Sequence, residues 1–233
     1  MNIAIILSGG VGSRLGLSMP KQYVEVGGHP IIEYCLRTLL LHQEINMAII
    51  GVANEWLEYV KEIVERINSK IPIYYSMPGE TRQGSIINAL QKAKENDAHV
   101  NDVVLIHDAA RPLLTTELVS DCLKACTNAE AVLPVIPVKD TTYFSKDGKH
   151  IDSLLDRKTL WNGQAPEAFK FGSYFDANMA LSEEDLNKIT GSTEVSYRAG
   201  LKCVLIPGDT TNFKITTRED LSNFESIIKN ESL

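Results

Sequence analysis

Strand-length apolar runs alternate with segments of helical periodicity over residues 1–138, and that rhythm leaves few folds open to the chain. The runs at 3–7, 47–52, 71–75, 103–106 and 131–138 are short and almost free of polar residues, as strands buried on both faces are. Between them, residues 30–41 set Ile31, Ile32, Cys35, Leu36, Leu39 and Leu40 at helical spacing, and residues 55–67 do the same with Trp56, Leu57, Val60, Ile63, Val64 and Ile67. Further helices are predicted over 81–94 and over 116–125, the latter with Thr115 or Thr116 as N-cap. A β-α-β-α order of this kind predicts an α/β fold, with a mostly parallel twisted sheet covered by helices on both faces.

The rhythm breaks after Asp140. Residues 141–144 and 151–155 are β-type runs around the turn signal Lys146-Asp147-Gly148-Lys149, which predicts a β-hairpin. A lone polar hairpin is marginal in water, so this projecting β-arm, about 141–160, is expected to pack on a partner, most simply a second copy of the chain. The chain then returns through a helix around 172–181, a strand at 203–206, a short strand at 213–215 and a closing helix at 218–228 with Thr216 or Thr217 as N-cap. A single domain spanning 1–233 is expected, since this length supports one large core.

Polar and glycine-rich clusters follow four of the strands, at the ends where parallel sheets collect ligands. The first run empties into Ser8-Gly9-Gly10-Val11-Gly12-Ser13-Arg14, with Pro20-Lys21-Gln22 beyond. Such a loop delivers backbone N–H groups to one place and reads as a phosphate cradle, against the alternative of a glycine-rich turn without a ligand. It is neither the P-loop, because no lysine follows Gly16, nor the dinucleotide fingerprint, whose third glycine falls one position late. The other clusters are Met77 to Ser85, His107-Asp108-Ala109-Ala110-Arg111-Pro112, and Lys139-Asp140-Thr141.

The chemistry these clusters suggest is polyphosphate chemistry. Arg14, Lys21 and Lys214 are spread along the chain, each beside small or polar residues, and fixed cations of this kind relieve charge that develops on a phosphate. No catalytic base stands out, and none is needed if the nucleophile is already an anion. Asp108 and Asp140 each follow a buried strand and could help hold Mg²⁺ or simply cap a turn. Arg111 reads equally as a structural ion-pair partner of Asp108. His107, Trp161 and the four cysteines read as packed residues, and no CxxC pair suggests zinc. A net charge of -7 argues against nucleic acid as a partner, and no apolar run is long enough for a membrane span or fits a signal peptide, so a cytoplasmic setting is expected.

Together these motifs resemble the cytidylyltransferases of the 2-C-methyl-D-erythritol 4-phosphate and ribitol 5-phosphate type. The resemblance rests on the glycine loop with Pro20-Lys21-Gln22, on Gly79-Glu80-Thr81-Arg82-Gln83-Gly84-Ser85, on Asp108-Ala109-Ala110-Arg111-Pro112, on Pro137-Val138-Lys139-Asp140-Thr141 and on Asn212-Phe213-Lys214-Ile215-Thr216, in the family's order. It implies a Rossmann-like, GT-A-like nucleotidyltransferase fold, CTP and Mg²⁺ with release of pyrophosphate, and a homodimer that exchanges contacts through the arm. It implies Arg14, Lys21 and Lys214 as the catalytic cations. It implies Ser8, Gly9, Gly10, Gly12, Ser13, Gly79, Glu80 and Ser85 around the nucleotide, and Asp108 beside metal and acceptor. Arg111, Thr141, Arg157 from the partner's arm, and the positions of Ala165 and Thr190 would meet the acceptor.

The departures lie on the acceptor side. Where the family usually carries Gln-Thr-Pro-Gln, this chain has Gln164-Ala165-Pro166-Glu167, and the usual Thr-Asp-Glu or Thr-Asp-Asp run is Thr190-Gly191-Ser192-Thr193-Glu194. Ser18-Met19 and Gly163 look more like the pentitol-phosphate branch, so a polyol phosphate for a cell-surface polymer is expected as acceptor, with methylerythritol phosphate for isoprenoids as the alternative. More distant readings are a sugar-1-phosphate nucleotidyltransferase and a non-catalytic nucleotide-binding module.

Overall fold

The computed structural model describes residues 1–10 and 19–231. In chain order it contains β1 (Asn2–Leu7), a small ribbon of β2 (Glu25–Val26) and β3 (His29–Pro30), α1 (Ile31–Leu40), β4 (Met47–Gly51), α2 (Leu57–Ile67), β5 (Ile73–Ser76), α3 (Arg82–Glu95), β6 (Val103–Asp108), α4 (Thr116–Ala125) and β7 (Ala131–Pro137). The second half adds a hairpin of β8 (Thr142–Phe144) and β9 (Ser153–Leu155). Then come β10 (Trp161–Gly163), β11 (Glu167–Lys170), α5 (Phe171–Met179), α6 (Glu183–Lys188), α7 (Ser192–Arg198), β12 (Cys203–Pro207) and α8 (Arg218–Glu231).

β1 lies inside an eight-stranded sheet, with β4 and β5 on one side and β6 on the other, all parallel. The strand order therefore reverses between β1 and β6, and a crevice opens at their carboxyl ends. β11 runs antiparallel between β6 and β7, β10 continues along β7, and β12 pairs with β7 in parallel. The sheet is mostly parallel, as the periodicity predicts, with this one reversed segment.

Successive residues of each strand face opposite layers. Ala4, Ile6, Ala48 and Ile50 pack with Leu36 and Leu39 of α1, Val60 and Ile63 of α2, and Val119 and Cys122 of α4. Ile3, Ile5, Ile49 and Ile106 pack with Ile86 and Leu90 of α3, Tyr174 of α5 and Val195 of α7. A third small cluster joins Val26, Ile31, Ile215 and Phe224, with Tyr34 edge-on to Phe224 at 5.1 Å. It docks α8 onto the β2–β3 ribbon and so fixes the segment carrying Lys214.

Several expectations are corrected. Residues 213–215 form no strand, because Ile215 donates its N–H to the carbonyl of Ala110 and leaves its neighbours to the crevice. Trp161 is 50% exposed at the base of the arm instead of packing in the core. Cys203 is only partly covered, whereas Cys35, Cys122 and Cys126 are buried. The caps are Thr115 for α4 and Thr217 for α8, where Thr217 Oγ1 accepts from Asp220 N and Asp220 returns a bond to Thr217 N, a reciprocal pair that satisfies two end donors. No helix among the described residues is long and apolar enough to cross a membrane.

Candidate active site

β1 leads into Gly9 and Gly10, which line a cavity of about 530 Å³ at the strand-order reversal. Gln22 holds the start of this loop from behind: its Nε2 donates to the carbonyls of Ser8 at 2.6 Å and Gly10 at 2.9 Å. Ser8 itself does not line the cavity. Its N–H goes to Gly51 and its hydroxyl to Tyr23, so it anchors the loop. Gly12, Ser13 and Arg14 lie outside the described residues. Lys21 lines the cavity and donates from Nζ to the carbonyl of Ile215 at 2.5 Å, one residue from Lys214.

Gly79, Glu80 and Ser85 form the opposite lip. A Cβ on Gly79 would lie 2.6 Å from the backbone of Gly84, so this turn closes only around a glycine. Thr81 caps α3 by accepting from Gly84 N at 3.0 Å. The Ser85 hydroxyl accepts from Gly79 N and donates to the Thr81 carbonyl, both at 3.0 Å. Ser85 thus fixes the turn that presents Gly79 and Glu80.

A second cavity of about 310 Å³ adjoins the first, and the two share Arg82, Asp108 and Lys214. Asp108 ends β6 and is buried; Oδ1 accepts from Arg82 Nε at 3.1 Å, Oδ2 from Lys214 Nζ at 3.0 Å, and Arg111 Nε lies 3.8 Å away. Burial alone would raise the Asp108 carboxyl, but Arg82, Lys214 and Arg111 override it and hold the group well below the usual carboxylate range. His107 beside it is fully buried, its Nε2 2.9 Å from the Arg111 carbonyl, and burial pushes it down to about 4, so it is a neutral packed residue as expected.

Arg82, which the sequence motif alone does not mark as functional, is with Lys214 a cation common to both cavities. Its Nη1 donates to Ser192 Oγ at 2.6 Å and its Nη2 lies 3.5 Å from Glu167. Burial works against its charge, but Asp108 and Glu167 more than offset this. The signal available in the sequence was its place at the first turn of a helix following a glycine turn. Arg111, Ala165 and Thr190 all line the second cavity. Thr141 and Arg157 do not: both are exposed, and Arg157 Nη1 donates to the carbonyl of Lys139 in its own chain. Asp140 is exposed as well and touches neither cavity. Among the described residues no three metal-ligating side chains cluster, and Asp108 is the one Asp common to both cavities.

The family model of 2-C-methyl-D-erythritol 4-phosphate cytidylyltransferase matches residues 2–230. A 2-C-methyl-D-erythritol 4-phosphate cytidylyltransferase of Clostridium botulinum is 34% identical over 219 residues, covering 94% of this chain and 95% of the relative. A ribitol-5-phosphate cytidylyltransferase of Streptococcus pneumoniae is 30% identical over 241 residues, covering 99% of this chain and all of the relative. Among solved structures, a 4-diphosphocytidyl-2C-methyl-D-erythritol synthase from Anaerococcus prevotii is 26% identical and superposes with a TM-score of 0.81 over 98% of each chain.

Proposed function

The chain belongs to the 2-C-methyl-D-erythritol 4-phosphate cytidylyltransferase family, and on that premise we propose that it transfers CMP from CTP to ribitol 5-phosphate or a closely related pentitol phosphate. The observation that carries the reading is the pair of adjoining cavities sharing Arg82, Asp108 and Lys214. CTP occupies the first, its triphosphate over Gly9, Gly10 and Lys21 and its base against Gly79 and Glu80. The acceptor occupies the second. A phosphate oxygen of the acceptor attacks the α-phosphorus; one P–O bond forms, the bond to the β-phosphate breaks, and pyrophosphate leaves with the electron pair. The attacking oxygen is already anionic, so the protein contributes placement and fixed positive charge.

A divalent metal fits this arrangement. Mg²⁺ takes one or two protein carboxylates and completes its shell with phosphate oxygens and water, and Asp108 is ionised, common to both cavities, and retains unused lone pairs. When bound, the metal neutralises triphosphate charge. Lys21 and Lys214 supply the fixed cations, and Arg14 joins them in this proposal by its position in the sequence motif alone.

Polar side chains of Arg111, Thr190, Thr193 and Glu194 line the second cavity and support a hydroxylated acceptor, while Ala165 sets a methyl group where the family pattern carries a hydroxyl and so changes the fit on that wall. A methyl-branched tetritol phosphate is the second reading, favoured by the match to the methylerythritol family model and the 34% identical relative. Pyrophosphate release from CTP and Mg²⁺ with each acceptor in turn tests both. Faster release with ribitol 5-phosphate is expected; the reverse order hands the acceptor to the second reading, and no release with either removes the transferase reading.

The same proposal includes a homodimer through the arm. Tyr143, Phe144, Ile151, Leu154 and Trp161 are each exposed on or beside the hairpin, with Tyr143 paired across it to Leu154, and exposed apolar side chains of this kind are what a partner would cover. A partner's arm is also what would carry Thr141 and Arg157 to an acceptor site they do not reach in their own chain. Sedimentation equilibrium is expected to give a dimer at micromolar concentration; a monomer there would count against any role for Arg157 of the partner.

A further inference from the structure

Glu167, the first residue of β11, is buried against donors from two other elements. Its Oε1 accepts from the Ser192 hydroxyl at 2.7 Å, and its Oε2 accepts from Thr193 N at 2.8 Å and from the Thr193 hydroxyl at 2.6 Å. The residue before α7 is Gly191, which offers no side chain to cap the helix, so the carboxylate from β11 takes that place. On its other side, Oε1 lies 3.5 Å from Arg82 Nη2. Arg82 meets Asp108, and Asp108 meets Lys214. Glu167, Arg82, Asp108 and Lys214 therefore alternate in charge along one line. That line runs from the 190–193 wall of the second cavity to the seam of the two cavities.

We propose that Glu167 is the positioning residue that sets acceptor choice, holding the 190–193 wall at one end and Arg82 at the other. This rests on the reading that places the acceptor in the second cavity. Thr190, Gly191 and Thr193 line that cavity and not the first, so moving them reshapes the acceptor space and spares the nucleotide space. An amide of the same shape cannot serve all these neighbours. Its oxygen can accept from Thr193, but its NH₂ then faces Arg82, donor against donor, and Arg82 loses one of its two acidic partners. The wall shifts relative to Lys214, while Arg82 keeps its bond to Asp108 at the seam.

The test is steady-state kinetics of Glu167→Gln and Glu167→Asp with ribitol 5-phosphate and 2-C-methyl-D-erythritol 4-phosphate, alongside thermal melting. In Glu167→Gln the ratio of kcat/KM for the two acceptors is expected to change about tenfold or more, with a raised acceptor KM and KM for CTP within about twofold of wild type. Glu167→Asp keeps the charge and is expected to fall between wild type and Glu167→Gln. A lower melting temperature with an unchanged acceptor ratio would reduce Glu167 to a helix cap and overturn the proposal. So would an equal rise in KM for CTP, which marks general distortion. Should Glu167→Gln fail to fold, an unchanged ratio in Glu167→Asp overturns it. If wild type uses neither acceptor, the transferase reading fails and this inference with it; if wild type turns over and the ratio holds, only the inference fails.

Discussion

Lys214→Ala is expected to lower kcat for pyrophosphate release about a hundredfold, with KM for CTP changed only a few-fold. Lys214 lines both cavities, and its Nζ is held 3.0 Å from Asp108. It therefore stands where, on the proposed reaction, the acceptor oxygen approaches the α-phosphate and where negative charge concentrates in the transition state. Removing one fixed donor from such a place typically costs about two to three orders of magnitude in rate. The same substitution at a residue that only binds the ground state would raise KM and spare kcat, so the split between the two constants is the readout. Lys21 is the useful contrast. It reaches the Ile215 carbonyl on the far side of the same segment, so Lys21→Ala should disturb KM for CTP more than kcat. Wild-type turnover by Lys214→Ala would remove that lysine from the mechanism.

Asp108→Asn is expected to lower both turnover and stability. The carboxylate is buried between Arg82 and Lys214 with Arg111 behind, so an amide leaves three cations without their shared acid. Breaking a buried pair of this kind costs about 3 kcal/mol or more, and loss of placement of two cations at once should lower kcat by about a hundredfold. The pH dependence has a definite sign. The carboxyl of Asp108 is lower in the folded chain than in the unfolded one, where it titrates near about 4. Its contribution is fully present above that unfolded value and is lost as pH falls below it towards the depressed folded value. Urea unfolding of wild type between pH 6 and about pH 3 should therefore lose more free energy than unfolding of Asp108→Asn over the same interval. Parallel slopes would mean that the carboxylate is not held by its cations.

Much of the donor side is legible in the sequence. Strands buried on both faces leave continuous apolar runs, and their ends are marked by Gly79, by Asp108 and by the loop after Leu7, so the crevice followed from periodicity alone. Lys214 is legible as a candidate cation beside small and polar residues, but its place at the crevice is not, because no regular element carries it there; it is placed by Ile215, pinned to Ala110 and to the α8 cluster. β11 and α7 were missed for a related reason. Four residues bounded by Glu167 and Lys170 do not alternate, and α7 has Val195 as its one large buried side chain. Trp161 reads as core because it is a large aromatic, and nothing in the sequence marks the exposed edge on which it lies. The role of Arg82 is hidden because its partners, Asp108, Glu167 and Ser192, lie between 26 and 110 positions away from it in the chain.

β11 enters the sheet against the direction of its neighbours, and this single reversal divides the molecule by length of chain. The residues around the proposed triphosphate come from the first 110 positions and from the segment at Lys214, whereas most of the second cavity comes from positions 163–194. Because β11 runs antiparallel to β6 and begins opposite its end, Glu167 arrives near Asp108. Variation between 163 and 194 can thus re-address the enzyme to a new polyol while the machinery that cleaves the nucleotide keeps its shape. A family whose members name two different acceptors, on one fold of nearly constant length, is what such a division would produce.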